Sequence, residues 1–376
     1  MDVPAASAQL GVRLTGVLQL PEHLEALSGP MRQRASRLVE ARVVEGRTVP
    51  PPELEPWLVA TFGSVDAVRE QRIVKVTNPA TLESTIFSPL RDRRPIDRAT
   101  RGNDLSAEIA TTEGDPFCHP ESGTPADPFG RVRGTRVVTG ANAALADAHH
   151  AVVVFDSHDP LGFDAKLVTD VLKTGRAWAD QARTDDPAAT NYLLIWNCLW
   201  RAGGSIVHGH AQALLGAGRH YEQIDRLRRD VVAYEARYGA DLVEDLVAVH
   251  RSVDLTIEMA DGVTLVASLT PRKERELLVV GTAGMEETDP RFADALAGTL
   301  IAYRDRIGVR SFNMAVWRPP LGAEAPRATG WQGIPPIARL VDRGDPFSRP
   351  SDIGGMELYG TPIVGSDPYD LVEALR

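Results

Sequence analysis

Hydrophobic and polar residues follow two different patterns along the chain, and the change falls near residue 75. Residues 1–74 have helix-like spacing of apolar residues on both sides of the proline-rich break "VPPPELEP", which predicts a helical N-terminal extension. Beyond it, short apolar runs such as "ESTIFSP", "TRVVTGA" and "HAVVVFDSH" have the composition of β-strands. The remainder of the chain is therefore predicted to combine strands with intervening helices.

The order strands, helix, strands occurs twice in this remainder. In the first copy the helix is "GFDAKLVTDVLKTGRAWADQAR", with its apolar residues on one face, and "NYLLIWNCLW" follows as a buried strand. In the second copy "DPRFADALAGTLIAYRDRIG" is the helix, and "SFNMAVWRPP" and "IPPIARLVDR" resemble strands. We predict an α+β fold with a duplicated unit, whose halves span residues 75–217 and 218–376.

The stretch "GGSIVHGHAQALLG" differs from everything around it. Because side chains of a strand alternate between its two faces, His208, His210 and Gln212 would lie on the same face. Two imidazoles at this spacing can bind a metal, or one of them can attack phosphorus. The third interpretation is an ordinary strand with histidines on its solvated face.

The residues that precede the histidines favour a functional site. Gly203 and Gly204 permit a close approach of the backbone to an anion, which exposed N–H groups there can bind. Ser205 adds a hydroxyl donor. Only the first of the two copies carries this cluster, so we expect one copy to perform chemistry and the other to support it.

Composition narrows the choice of partners. The chain has 376 residues and a net charge of −10, without a run of Lys and Arg, which argues against a partner of duplex nucleic acid. Two cysteines provide no disulfide framework, and neither a signal segment nor an apolar run of about 18 residues is found. We predict a cytoplasmic protein that does not bind membranes. The negative net charge leaves small anionic ligands open, because local basic residues can bind them on an acidic protein.

The segment "NCLWRAGGSIVHGHAQ" resembles the active-site segment of the galactose-1-phosphate uridylyltransferase-like branch of the histidine-triad superfamily. That branch has an Asn, then Gly and Ser, and then His-Pro-His-x-Gln. Gly209 stands where the family usually has proline. The residues in register with the pattern are Asn197, Gly203, Ser205, His208, His210 and Gln212.

Further segments resemble this family in the same order, so that the resemblance covers roughly residues 75–376. "IFSPLRDRRP" provides Arg91 and Arg94, which the resemblance implies hold phosphates and reach across a homodimer. Asn142 and Asn197 would hydrogen-bond sugar or phosphate, and Glu357 matches the family's closing segment. The predicted duplicated unit would then be histidine-triad-like, with antiparallel sheets and packed helices.

The resemblance also implies a structural Zn²⁺ site. "DPFCHP" is similar to the family's Cys-x-x-Cys metal knuckle, with an aspartate in place of the first cysteine. The implied ligands are Asp115, Cys118, His158 and His208.

By the same resemblance, His210 would be the nucleophile of a ping-pong reaction. It would attack the α-phosphorus of a nucleotide donor, and a phosphorylated acceptor would then take the nucleotidyl group. Gln212 stands where histidine-triad hydrolases have a third histidine, and an amide performs no acid–base chemistry. This favours transfer between phosphates, or phosphorolysis, over the hydrolysis of amidates. The sequence thus predicts a nucleotidyltransferase.

Two other functions remain open at this point. One is a phosphorylase or hydrolase of dinucleoside polyphosphates or nucleotide sugars, and the other is a non-catalytic nucleotide-binding protein. Ser351 and Met356 replace a Lys and an aromatic residue that contact sugar phosphate in the family, so galactose-1-phosphate is not assumed to be the acceptor.

Overall fold

The computed structural model describes residues 14–93, 104–322 and 330–376. Thirteen strands in this part of the chain form two sheets. Strands β1 to β13 are Glu40–Arg47, Glu70–Thr77, Ser84–Phe87, Val137–Ala141, His149–Phe155, Ala189–Cys198, His210–Ala217, Thr256–Ala260, Val263–Ala267, Leu277–Val280, Phe312–Trp317, Ile337–Asp342 and Ile363–Val364.

Twelve α-helices accompany the strands in the described residues. Helices α1 to α12 are Leu20–Ala26, Gly29–Leu38, Glu55–Phe62, Asp66–Arg69, Leu105–Ala110, Pro120–Gly123, Ala165–Asp185, Glu222–Tyr238, Leu242–Ser252, Pro290–Asp305, Gly355–Tyr359 and Pro368–Leu375. Each of them is too short or too polar to cross a lipid bilayer.

The larger sheet has nine strands in the order β4-β5-β7-β6-β11-β12-β10-β9-β8, and all neighbours are antiparallel. On each side of the β6–β11 pair the chain forms a hairpin, a long helix and a second hairpin. Along the chain, α7 lies between the hairpins β4–β5 and β6–β7, and α10 lies between the hairpins β9–β10 and β11–β12. The predicted duplicated α+β fold is confirmed.

The core lies between this sheet and the two long helices. Along β6, Tyr192, Leu194 and Trp196 are buried toward the helices, whereas Ile195 and Asn197 alternate with them on the other face and are half-buried. Helices α7 and α10 contact each other and bury their apolar stripes on the sheet. One face of the sheet is thus committed to the core, and the alternation places polar side chains on the opposite face.

The N-terminal segment contains the predicted helices together with two strands that the prediction did not include. "EARVV" belongs to β1, which pairs antiparallel with β2 from Glu40↔Thr77 to Arg47↔Glu70. A pairing across some thirty residues leaves no trace in local helical periodicity, so the sequence pattern missed it. Strand β2 continues beyond residue 74, the predicted end of the N-terminal extension. The division of the chain into residues 1–74, 75–217 and 218–376 stays a prediction.

Glu83, from the turn before β3, joins the smaller sheet β1-β2-β3-β13 to the second half of the molecule. Its Oε1 lies 2.6 Å from Arg272 Nη2 and 2.9 Å from Arg339 Nη1. Burial by itself would raise the pKa of Glu83, but Arg339 and Arg272 outweigh it and lower that pKa from 4.5 to about 2. The charged form of this carboxylate therefore stabilises the folded state.

We expect Glu83→Gln to reduce the free energy of unfolding at pH 7 by about 2 kcal/mol, because it removes the partner of two arginines. The stabilisation is present above the unfolded-state pKa near 4.5 and is lost as the pH falls toward 2. Urea unfolding of both proteins between pH 7 and pH 2.5 measures this difference. Glu45→Gln, at an exposed carboxylate of β1, is the control and should change little. A difference that is the same at every pH would contradict the assignment.

Candidate active site

The chain between β6 and β7 makes a tight loop that requires both predicted glycines. Gly203 has φ of +92°, in the left-handed region that favours glycine. A Cβ on Gly204 would lie 2.9 Å from the carbonyl oxygen of Asn197, so the backbone passes close to the end of β6. These conformations bring the chain back into the sheet at His210, the first residue of β7.

His210 is buried and is held by its own strand. Its Nδ1 lies 2.8 Å from the carbonyl oxygen of His208. A carbonyl oxygen only accepts hydrogen bonds, so Nδ1 carries the proton and the lone pair of the neutral ring is on Nε2. Burial lowers the pKa of His210, which keeps the ring neutral at pH 7. The ring of Phe117 packs edge-on against it with 4.9 Å between centroids.

Gln212 lies on the same face of β7, next to two polar residues of the neighbouring hairpin. Its Oε1 is 3.0 Å from His150 Nε2, and the Asn142 side-chain nitrogen is 3.3 Å from that same ring atom. The backbone N–H of Asn142 donates to the carbonyl of His150 at 2.7 Å. The structure thus brings together the predicted residues Asn142 and Gln212 through His150.

Asn197, on the β6 side, is held by the second half of the molecule. The Asn313 side-chain nitrogen donates to Asn197 Oδ1 at 2.7 Å and to the carbonyl of Ala202 at 2.8 Å. Arg343, which donates to both carboxylate oxygens of Asp352, also donates to Asn313 Oδ1. Because guanidinium groups only donate, this series of hydrogen bonds fixes the orientation of both side-chain amides. It leaves the Asn197 Nδ2 group for a ligand.

The four predicted metal ligands form a cluster beside the histidine strand. Cys118 Sγ lies 3.3 Å from His158 Nδ1 and 3.5 Å from His208 Nδ1, and the two Nδ1 atoms are 3.3 Å apart. The other ring nitrogens face backbone carbonyls, His208 Nε2 at 2.9 Å from Phe155 O and His158 Nε2 at 3.1 Å from Ile109 O. Both Nδ1 lone pairs therefore point into the cluster, as in metal-ligating histidines.

These spacings fit tetrahedral coordination. Bond lengths of about 2.0 and 2.3 Å to nitrogen and sulfur at tetrahedral angles place the ligand atoms about 3.3–3.6 Å apart. The Asp115 carboxylate completes the set, since the four ligand atoms lie within 4.8 Å of one another. The same carboxylate accepts the N–H groups of His208 at 3.2 Å and Phe117 at 2.9 Å, which aligns it with the cluster. The residues present can hold a metal ion.

The remaining predicted site residues belong to a turn, a loop and a short helix. Arg91 is in the turn Pro89–Arg93 after β3, in the smaller sheet, and Arg94 is outside the described residues. Ser205 is exposed in the loop before β7. Glu357 caps α11, where its Oε2 accepts the N–H of Gly354 at 2.8 Å. The described hydrogen bonds of His210 and Gln212 run to His208 and His150 instead.

Two residues that were not predicted as site residues contact the site. His150 is adjacent to His149 in the sequence, and only the register of β5 with β7, with Val152 opposite Gln212, shows that it reaches Gln212. Asn313 is opposite Asn197 in the β6–β11 pair, which joins the two halves. The alternation within β5 was a usable signal for His150, whereas Asn313 had none.

The duplicated unit, with a histidine-bearing strand beside a cysteine–histidine cluster, has the fold that the resemblance to the galactose-1-phosphate uridylyltransferase-like branch implied. Solved structures bear this out. An ADP-glucose phosphorylase from Arabidopsis thaliana, with bound ADP-glucose, matches with a TM-score of 0.62 and 17% identity over 81% of this chain and 98% of that one.

Two further structures match over slightly less of the chain. A GalT-like protein from Arabidopsis thaliana has a TM-score of 0.57 and 17% identity over 70% of this chain and 92% of its own. A uridylyltransferase has a TM-score of 0.54 and 14% identity over 67% and 87%. No family model and no curated protein matches in sequence. The resemblance inferred from the sequence is therefore confirmed for the fold.

Gly209, which stands where the family usually has proline, is restricted by its backbone hydrogen bond and by a close side chain. Its N–H donates to the carbonyl of His158 at 3.0 Å, and a Cβ there would lie 2.5 Å from Phe155 Cδ2. We expect Gly209→Ala to cost about 2 kcal/mol of stability because of the Phe155 ring, and part of this cost to be relieved in the Gly209→Ala, Phe155→Leu double variant. Gly209→Pro should be destabilising with either residue at 155, because proline has no N–H. Chemical denaturation of the variants measures this, and an unaffected Gly209→Pro variant would contradict it.

The cluster predicts one bound transition metal per chain. We expect Cys118→Ser to lose the ion, because it removes a thiolate ligand. Cys198→Ser is the matched control, since the other cysteine is buried in the core at the end of β6. Metal content by mass spectrometry, after purification and after reconstitution with Zn²⁺, decides the question. Equal metal content in Cys118→Ser and wild type would rule out the cluster.

Proposed function

We propose that this protein is a nucleotidyltransferase that works through a covalent nucleotidyl-His210 intermediate. The observation that carries the proposal is the 2.8 Å hydrogen bond from His210 Nδ1 to the carbonyl of His208. It leaves a neutral, buried imidazole whose Nε2 lone pair is free to attack an electrophile.

The first step forms one bond and breaks another. Nε2 of His210 attacks the α-phosphorus of the donor, and the bond from phosphorus to the leaving phosphate oxygen breaks, with the electron pair staying on that oxygen. The ring becomes cationic, and its Nδ1–H donates more strongly to the carbonyl of His208. In the second step an oxygen of the acceptor attacks phosphorus, and the bond to Nε2 breaks to return the neutral imidazole.

The neighbours of His210 favour a phosphate as leaving group and as acceptor. Gln212 is an amide, so it cannot protonate a poor leaving group. A phosphate leaves without that help. The side-chain nitrogens of Gln212 and Asn197 can donate to phosphoryl oxygens on which charge develops. The donor would then be a nucleotide sugar or a similar diphosphate, and the acceptor a sugar phosphate or a comparable phosphorylated molecule.

The metal cluster has a supporting role in this proposal. Asp115, Cys118, His158 and His208 would hold Zn²⁺, which would tie the turn at Asp115 to the strand of the nucleophile. His208 belongs to both parts, because its ring faces the cluster and its carbonyl holds His210.

A second candidate function is phosphorolysis, in which inorganic phosphate takes the nucleotidyl group. Ser351 and Met356 stand where the family has a Lys and an aromatic residue for sugar phosphate, which favours a smaller acceptor. The same fold serves the ADP-glucose phosphorylase described above. The homodimer, the phosphate-binding roles of Arg91 and Arg94, and the cytoplasmic location stay predictions.

Intact-protein mass spectrometry after quenching in alkali tests the intermediate. Incubated with UDP-, ADP- and GDP-sugars and with dinucleoside polyphosphates, the wild-type protein should gain the mass of one nucleoside monophosphate, and His210→Ala should gain none. His149→Ala, a histidine paired with Asp186 away from the site, is the control and should be labelled. Nucleotide binding without any adduct would support the non-catalytic alternative instead. Release of the adduct by sugar phosphates or by inorganic phosphate separates transfer from phosphorolysis.

A further inference from the structure

His150 is a buried imidazole that the proposed reaction does not use. It is 4% exposed at the start of β5, on the face of the sheet that carries Gln212. Its Nε2 is 3.0 Å from Gln212 Oε1. His150 thus contacts Gln212, the side chain that stands where histidine-triad hydrolases have a third histidine.

The backbone fixes which nitrogen of His150 carries the proton. The N–H of Ala146 points at His150 Nδ1 at 3.2 Å, and a backbone N–H only donates. Nδ1 is therefore the acceptor, and in the neutral ring the proton lies on Nε2. The Asn142 side-chain nitrogen lies 3.3 Å from Nε2 but makes no hydrogen bond to it in this tautomer, because both groups are donors. Asn142 is held in this orientation by its Oδ1, which accepts the N–H of Ala144.

This tautomer fixes the orientation of Gln212. His150 Nε2–H donates to Gln212 Oε1, the acceptor beside it, so a rotation of the Gln212 amide by 180° would remove this hydrogen bond and leave Nε2–H facing donors only. The Gln212 nitrogen is then the atom that remains for a ligand, and it is a donor only.

We propose that His150 is a positioning residue that makes Gln212 a fixed hydrogen-bond donor and thereby favours phosphate over water as the acceptor of the nucleotidyl group. The inference rests on the proposed function. A donor can bind a phosphoryl oxygen, but it cannot accept a hydrogen bond from an attacking water, and the oxygen that could do so is held by His150.

The two fates of the intermediate differ in the attacking oxygen. With phosphate, a new P–O bond replaces the bond from phosphorus to His210 Nε2, and a nucleoside diphosphate leaves. With water, the same bond breaks, a nucleoside monophosphate forms, and the proton of the water passes to solvent. The ratio of the two products therefore reports on Gln212 directly.

Three variants test the proposal with ADP-glucose or UDP-glucose as donor and inorganic phosphate as acceptor. His150→Phe keeps the bulk but loses the donor, so the ratio of monophosphate to diphosphate should rise about tenfold, with kcat lowered more than KM is changed. His150→Gln places an amide donor near the position of Nε2 and should retain most of the wild-type ratio. His149→Phe is the matched control and should leave the ratio unchanged. An unchanged ratio in His150→Phe would overturn the proposal.

A spectroscopic measurement decides the same question without catalysis. In ¹⁵N-histidine-labelled wild-type protein, His150 should show the Nε2–H tautomer, and the side-chain amide signals of Gln212 should move in His150→Phe but not in His149→Phe. An Nδ1–H tautomer for His150, or unmoved Gln212 signals, would refute the proposal. Should the wild type form no nucleotidyl adduct, the proposed function fails, and these spectra still establish or exclude the fixed orientation of Gln212.

Discussion

The hydrogen bond between His210 Nδ1 and the carbonyl of His208 is the constraint on which the site depends. It sets the tautomer of His210, the imidazole that we propose as the nucleophile. The carbonyl of His208 is held in place by two other contacts of the same residue. The His208 ring lies in the cluster with Cys118, and the His208 backbone N–H donates to Asp115. Gly209, between the two histidines, fixes the backbone through its hydrogen bond to His158. The position of His210 and the positions of the four residues that can hold a metal ion therefore depend on each other.

The same logic extends to both sides of His210. Gln212 and Asn197 are each held by their side-chain oxygen, the first by His150 and the second by Asn313. In both cases a group that can only donate fixes the residue that contacts the amide. The backbone N–H of Ala146 fixes His150, and the guanidinium of Arg343 fixes Asn313. Both amides therefore offer nitrogen to a ligand, an arrangement that suits the oxygens of a phosphoryl group.

The sequence predicted the fold and the residues of the histidine strand because both are recorded in local patterns. Apolar periodicity identified α7 and α10, and period-two spacing placed His210 and Gln212 on one face. Features that depend on distant pairing escaped it. Strand β1 was read as part of a helix because its partner β2 is thirty residues away, and Asn313 reaches Asn197 only through the pairing of the two halves. Asp115 and Cys118 were identified as candidate metal ligands from the family resemblance and not from their spacing alone.

The β6–β11 pairing that places Asn313 opposite Asn197 restricts how the two halves can diverge. Since side chains alternate along a strand, a shift of this register by a single residue would turn Asn313 toward the helix-covered face and leave Asn197 without its donor. Insertions and deletions within either strand are therefore incompatible with an intact site, whereas turns away from the site are free to vary in length. The histidine strand β7 belongs to the first half, yet the geometry of its site also restricts the strand register of the second half.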